Sequence, residues 1–406
     1  MPFSGNMFRA LRHRDFRLYA AGMAVSLAGT WMQNMAQAWL VYRLTRSAWM
    51  LGLTWFCSSL PVLVLSPIAG AMADRWPRRR IVMATQVVGM IQAAILAFLT
   101  MTGRVEIWHV LALALMLGVS TAFDIPSRQA LFIHLVGKDD LLNAISLNSA
   151  TFNVARVIGP SLGGFIVARS GEGLCFLLNS LSFVAVLISL GAMRVDERLH
   201  EQPETPIESL KTGLAFVRRT PEALALLALC GLISIAGSPG STLAPVFADG
   251  IFKMGAQGLG LLSAGMGAGA ILGTLSLARR RAAKGLPRVI VGSTAALSLS
   301  MAVYGASPSF WICFAMMPLI GMSVMRHSAS ANTTIQMSIP DSYRGRVMGL
   351  YSMMVIGMTP IGSLLSGALA EAIGSRATMI VGAVGCLAGA LVARWWSARW
   401  EAWLQR

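Results

Sequence analysis

Long apolar stretches recur along the chain, each about the length a helix needs to cross a bilayer, and each is bounded by Gly, Pro or clustered charge. They predict twelve membrane spans, near 18–42, 48–72, 80–101, 107–125, 142–169, 174–193, 222–248, 256–278, 288–306, 308–330, 345–370 and 375–396. The longest polar stretch, 194–220, falls between the sixth and seventh. It opens with Asp196, Glu197, Glu201 and Glu204 and continues into 207–219, whose pattern predicts a short amphipathic helix on the inner membrane face. The expected fold is an all-α membrane protein with twelve transmembrane helices in two pseudo-symmetric six-helix bundles. The first bundle would cover 1–193, a cytoplasmic linker 194–221, and the second bundle 222–406.

Composition agrees with the pattern. The 406 residues are 55% hydrophobic and 12% charged, about half the charged fraction of a soluble domain. A water-exposed fold could not cover that much apolar surface, whereas a bilayer removes the need. The net charge of +16 would suggest nucleic acid in a soluble protein. Here the bases sit between apolar runs, with no interleaving of solvent-facing aromatics, so nucleic acid is excluded as a partner. Most of the 33 Lys and Arg fall in alternate loops, on the side of the N-terminus; only Arg43, Arg46, Arg104, Arg169, Lys253 and Arg376 fall in the opposite set, and Arg156 lies within a span. By the positive-inside rule both termini face the cytoplasm, which in a chain of this type means a bacterial cytoplasmic (inner) membrane. The basic N-terminus runs straight into a span too long for a cleavable signal peptide. Cys57, Cys175, Cys230, Cys313 and Cys386 all lie in apolar segments and read as small buried hydrophobes.

The two halves resemble each other. Pro160 and Pro360 lie 200 residues apart in similar Gly-rich settings. Ala48, Leu51, Gly52 and Leu53 match Ala256, Leu259, Gly260 and Leu261 at an offset of 208, and Arg279-Arg280-Arg281 stands where Arg78-Arg79-Arg80 stands in the first half. Repeats of this kind place a substrate site near the bilayer midplane.

After the second span comes Gly70-Ala71-Met72-Ala73-Asp74-Arg75-Trp76-Pro77-Arg78-Arg79-Arg80. Gly70 permits close helix approach, and Asp74 is placed to meet the positive end of the next helix. A plain positive-inside loop would explain the arginines but not Gly and Asp at this spacing. The segment resembles the loop motif of the major facilitator superfamily, with Pro77 where the family usually has Gly. The resemblance implies that Gly70, Asp74, Arg75 and Arg78 act in the conformational switch, against Asp341 or Arg344. In the fifth span, Ala155-Arg156-Val157-Ile158-Gly159-Pro160-Ser161-Leu162-Gly163-Gly164 is similar to the helix-kink motif of drug/proton exchangers in that superfamily. It implies export and assigns Gly159, Pro160, Gly163 and Gly164 to the kink. Physically, Pro160 removes a backbone hydrogen bond and the glycines admit a neighbouring helix, as they would in any tightly packed kinked helix. Leu11-Arg12-His13-Arg14-Asp15-Phe16-Arg17, the run Trp39 to Thr45, and Arg344-Gly345-Arg346-Val347 resemble the branch with enterobactin exporters and macrolide efflux proteins.

Polar groups at membrane depth are functional candidates. Asp124 is the one carboxylate well associated with a predicted span, in a compact charged turn ending at Arg128. The repeat register sets His327, beside Arg326, opposite it. Asp124 could exchange a proton under the bias of Arg156 or Arg128, or it could close an inner gate as a static ion pair. Arg156 could neutralise an anionic substrate group or pair with Asp124. Gln33, Asn34 and Gln37 in the first span, and Ser149, Asn153 and Arg156 in the fifth, form polar stripes facing either a central cavity or neighbouring helices. Met322, among several methionines of span ten, would give an adaptable apolar wall. No Walker loop, catalytic set, metal cluster or cofactor motif is present, so the chain is not expected to be an enzyme or to carry a cofactor.

The expected function is secondary active transport by alternating access: a monomeric, proton-coupled exporter of a siderophore or amphiphilic drug-like small molecule. An importer of the same fold is the alternative within transporters, and a membrane-embedded enzyme or lipid-handling protein the alternative outside them.

Overall fold

A computed structural model describes residues 8–193, 206–280 and 284–405; within its helices the side chains of 66–68, 70, 71, 73–75, 138, 206–210, 341 and 342 lie outside the described residues. The switch expected of Gly70, Asp74, Arg75 and Asp341, and the acidic start of the linker, fall outside them too.

Among the described residues the chain is helical throughout, without a strand. Bilayer-spanning backbone must satisfy its own hydrogen bonds, which favours helix wherever the sequence stays apolar. α1 is Arg14–Thr45, α2 Ala48–Arg75 and α3 Arg78–Met101. α4 (Ile107–Gly137) and α5 (Asp139–Ser170) meet at Gly137, whose φ of 71° is the one non-helical point between them. α6 is Glu172–Ala192, and α7, Pro206–Arg219, is the short helix between the halves. α8 is Pro221–Ala236, α9 Gly255–Ala278, α10 Leu286–Ala306 and α11 Phe310–Ser338. α12, Asp341–Ser352, passes through a wide π-turn at Met353–Gly357 into α13, Met358–Ile373. α14 is Ser375–Leu404. Among the described residues eleven stretches are long and apolar enough to cross a membrane, and α1, 32 residues long, has the length for a twelfth.

Most helices outrun the apolar windows that predict them, because polar residues at the ends continue the hydrogen-bond ladder into the interface. The largest extension is at α4. The segment Asp124 to Arg128, expected as a turn, is helix, and α4 continues through Pro126 to Gly137. Proline removes one backbone bond but does not end a helix that neighbours hold in place. The seventh span is the reverse case. α8 stops at Ala236, and Pro239–Thr242 and the π-turn Val246–Ile251 follow as separate pieces, since Pro239 and Pro245 supply no N–H to the ladder.

Contacts divide the chain into two compact units, the first built from residues up to Leu40 and from Leu60 through α6, the second from Val41–Ser59 and from α7 onward. In the first, Phe16, Tyr19, Met23, Val82, Leu131, Phe132 and Leu190 form a buried cluster, with the Tyr19 and Phe132 rings edge to face at 5.4 Å. Gly159 and Gly163 of α5 lie against the α1 backbone; a Cβ at Gly159 would stand 2.6 Å from the Trp31 Cβ and 2.7 Å from the Ala28 carbonyl. In the second unit α9 and α11 approach until a Cβ at Gly269 would fall on the Pro318 carbonyl, and one at Gly321 on the Met266 carbonyl. This is small-residue packing, which works in lipid because dispersion contacts must replace the absent hydrophobic drive. α7 rests on α12, with Phe216 and Tyr343 stacked at 4.5 Å. Large apolar side chains such as Ile188, Leu299 and Leu391 are exposed, as lipid-facing residues must be.

Candidate functional site

Three polar side chains converge in the first unit on Asp124, which is 5% exposed. Because α4 is helical here, Arg128 falls one turn beyond Asp124 and its guanidinium pairs with Oδ2. Oδ1 accepts from Gln86 Nε2 at 3.0 Å and lies 3.0 Å from the Thr85 hydroxyl, both on α3. That hydroxyl also lies 2.8 Å from the Val82 carbonyl. Its single proton can point to the carboxylate, or to Val82, leaving an oxygen lone pair for a protonated Asp124. Both protonation states of Asp124 are thereby hydrogen-bonded. Arg128 also reaches the buried Tyr19 hydroxyl.

Arg156 is not part of this cluster. It is half-buried on α5, with its guanidinium 5.4 Å from the centre of the Trp31 ring, and Trp31 meets Phe152 edge to face at 5.5 Å. No carboxylate among the described residues pairs with it. The alternative of an Arg156–Asp124 pair is thus corrected: continuous helix gives Asp124 a nearer partner. Arg156 is left as a cation at span depth with an aromatic face and an open charge.

The stripe on α1 divides by depth of burial. Gln33 is 2% exposed, donates to Gln92 Oε1 at 2.8 Å and accepts from Asn179 Nδ2 at 2.8 Å, tying α1 to α3 and α6. Asn34 and Gln37 are half-buried. On α5, Ser149 is exposed and its carbonyl accepts from Asn153 Nδ2 at 2.8 Å, while Asn153 Oδ1 is buried without a hydrogen-bond partner. Arg78, 9% exposed, meets His134 Nε2 on α4, and Arg79 donates to the Gly191 carbonyl at 2.9 Å.

The second unit holds a counterpart of the Asp124 site. His327 on α11 is 2% exposed, with Nδ1 2.9 Å from the Thr294 hydroxyl on α10 and Nε2 buried without a hydrogen-bond partner. Thr294 and His327 meet across α10 and α11 as Thr85 and Asp124 meet across α3 and α4, with an imidazole where the first unit has a carboxyl. Met322 and Arg326 are half-buried beside it, and Arg344 donates to the Gln336 carbonyl at 3.2 Å.

Asp124 is not the only carboxylate associated with a span. Glu371 lies in the span Tyr343–Ile373, accepts from the Ser47 hydroxyl and from the Trp49 N–H at 3.3 Å, and so caps the start of α2. Arg46 pairs with Asp249 in the same unit. Sequence reading missed both because each sits at a span end, where charge is ordinary. It also missed Thr85, Gln86 and Thr294, single polar residues in apolar runs that a search for every buried hydroxyl and amide would find.

A helical membrane bundle with ionisable groups buried at span depth is a form that transporters take. The comparisons agree. The transmembrane secretion effector family matches residues 5–402. The Staphyloferrin A transporter of Staphylococcus aureus is 28% identical over 85% of this chain and 87% of that one. The multidrug efflux pump Tap of Mycolicibacterium fortuitum is 25% identical over 87% and 88%, and the enterobactin exporter EntS of Shigella boydii 24% identical over 88% and 85%. Among solved structures, a POT family transporter in complex with 5-aminolevulinic acid matches with a TM-score of 0.76 at 12% identity, over 95% of this chain and 96% of that one. A bacterial homologue of the iron transporter ferroportin matches with 0.72 at 17% identity, over 95% and 99%. The chain is a multi-pass membrane transporter and not an enzyme. It belongs to the transmembrane secretion effector family of the major facilitator superfamily.

Proposed function

We propose that this transporter is a proton-coupled exporter that moves an anionic siderophore or amphiphilic drug-like molecule by alternating access. It would work as a monomer in a bacterial cytoplasmic membrane, with both termini inside and residues 1–193 and 222–406 as its two halves. The observation that carries the coupling is the setting of Asp124. It is a buried carboxyl whose neighbours satisfy it with or without its proton, paired with one cation a helical turn away. Arg156, which pairs with no carboxylate among the described residues and is backed by Trp31, supports an anionic group on the substrate. Asn34, Gln37, Ser149 and Asn153 would line the same path, and Met322 lines a separate pocket in the second unit. Export is favoured over import because EntS is an exporter and Tap an efflux pump.

The test is transport in cells lacking the protein, then in proteoliposomes with an imposed pH gradient. Restoring the wild-type chain should lower internal accumulation of the right compound from a panel of siderophores and amphiphilic drugs. Asp124→Asn should bind that compound but not concentrate it. Gradient-driven efflux by the Asp124→Asn variant would remove Asp124 from coupling, and raised accumulation by the wild type would reverse the direction.

A further inference from the structure

The second unit contains a basic pocket that the transport reading does not use. It has a volume of about 670 Å³ and lies beside the start of α10, between the end of α9, α11 and the end of α14, within the size range of small-ligand sites. Four cations line it, Arg280, Lys284, Arg288 and Arg326, against one carboxylate, Glu401. The carboxylate is held by backbone in the same lining: both its oxygens accept the Gly285 N–H, at 2.9 and 3.2 Å. None of the four cations has an ion pair among the described residues. Two further donors in the lining are unused. Ser323 is 1% exposed and its hydroxyl is buried without a hydrogen-bond partner. The buried Nε of Arg326 also has none.

Idle buried donors in a cavity are unfavourable unless a ligand fills it, since each unmade buried bond carries its full desolvation cost, and the four cations of the lining select an anion as that ligand. The donor set suits a tetrahedral oxyanion: guanidinium forks bind two oxygens at once and a hydroxyl donates a third bond. The depth of the pocket fits as well. Arg280, Lys284 and Arg288 are exposed at its mouth, while Ser323 and Arg326 lie further along α11. We infer that this pocket binds a phosphate group, and that an anionic phospholipid headgroup at the membrane interface is its source. Basic pockets between helix ends are where such headgroups dock.

The test uses the purified full-length protein in detergent, read as the thermal unfolding midpoint while a probe is titrated. The probes are dioleoylphosphatidylglycerol, dioleoylglycerol as the same lipid without phosphate, and sodium phosphate against sodium chloride at equal ionic strength. Phosphatidylglycerol should raise the midpoint saturably and dioleoylglycerol should not. Arg326→Gln and Arg288→Gln should each weaken half-saturation about fivefold, and Arg394→Gln, which removes the same charge outside the pocket, should leave it unchanged. Should Arg326→Gln fail to fold, Arg288→Gln, exposed at the mouth, carries the test alone. Saturation by sodium phosphate with the same dependence on Arg288 keeps the phosphate site and assigns it to a soluble anion. Absence of any saturable shift, or a shift indifferent to Arg288 and Arg326, overturns the site. Neither result bears on Asp124 or on the direction of transport.

Discussion

Removing the charge of Asp124 tests the central ion pair of the first unit. The carboxylate side chain is 7% exposed and that of Arg128 21%. Asp124→Asn keeps the size of the side chain and an oxygen that can accept from Gln86, but it strands a mostly buried guanidinium. Breaking one side of a fully buried pair costs about 3–5 kcal/mol. The partial exposure of Arg128 and its second contact at Tyr19 reduce that to about 2–3 kcal/mol. Arg128→Gln should cost a similar amount by stranding the buried carboxylate. The double variant removes both charges and should be more stable than either single one. The assay is a double-mutant cycle on thermal or denaturant unfolding in detergent, with a coupling free energy of at least about 1 kcal/mol expected. Additive losses, within about 0.5 kcal/mol, would show that the two residues do not hold each other, and the coupling proposal would lose its physical basis.

Arg156→Ala should weaken binding of an anionic substrate about tenfold or more and leave neutral compounds unaffected, as measured by ligand-induced stabilisation; equal losses for both would make Arg156 structural. Gly269→Val should abolish the folded protein on size-exclusion chromatography, since overpacking costs about 1–3 kcal/mol even where side chains can give and here a backbone carbonyl blocks the way, whereas Gly292→Ala, with nothing within 4 Å, should behave as wild type. Asp249→Asn should change the unfolding free energy by less than about 1 kcal/mol, because its partner Arg46 is 61% exposed; a larger loss would mean that the pair is shielded in the membrane.

Hydropathy and charge alone determined that this chain is a twelve-span helical membrane protein. They also marked Asp124 and Arg156 as the residues to watch, since an ionisable group in an apolar run is costly wherever the helix sits. Where each helix ended was less legible: α4 passes through Pro126, and the seventh span breaks after Ala236, because neighbours decide whether a lost backbone bond ends a helix. Which partner each polar group takes was settled by tertiary structure. Gln33 meets Gln92 and Asn179 from helices 59 and 146 residues away, and the basic pocket joins residues from 280 to 401. A helix fixes the spacing of its own side chains, but its rotation and depth against other helices follow from packing around small residues such as Gly159 and Gly269. Only that packing brings Thr85 to Asp124 and leaves Arg156 without a counter-charge among the described residues.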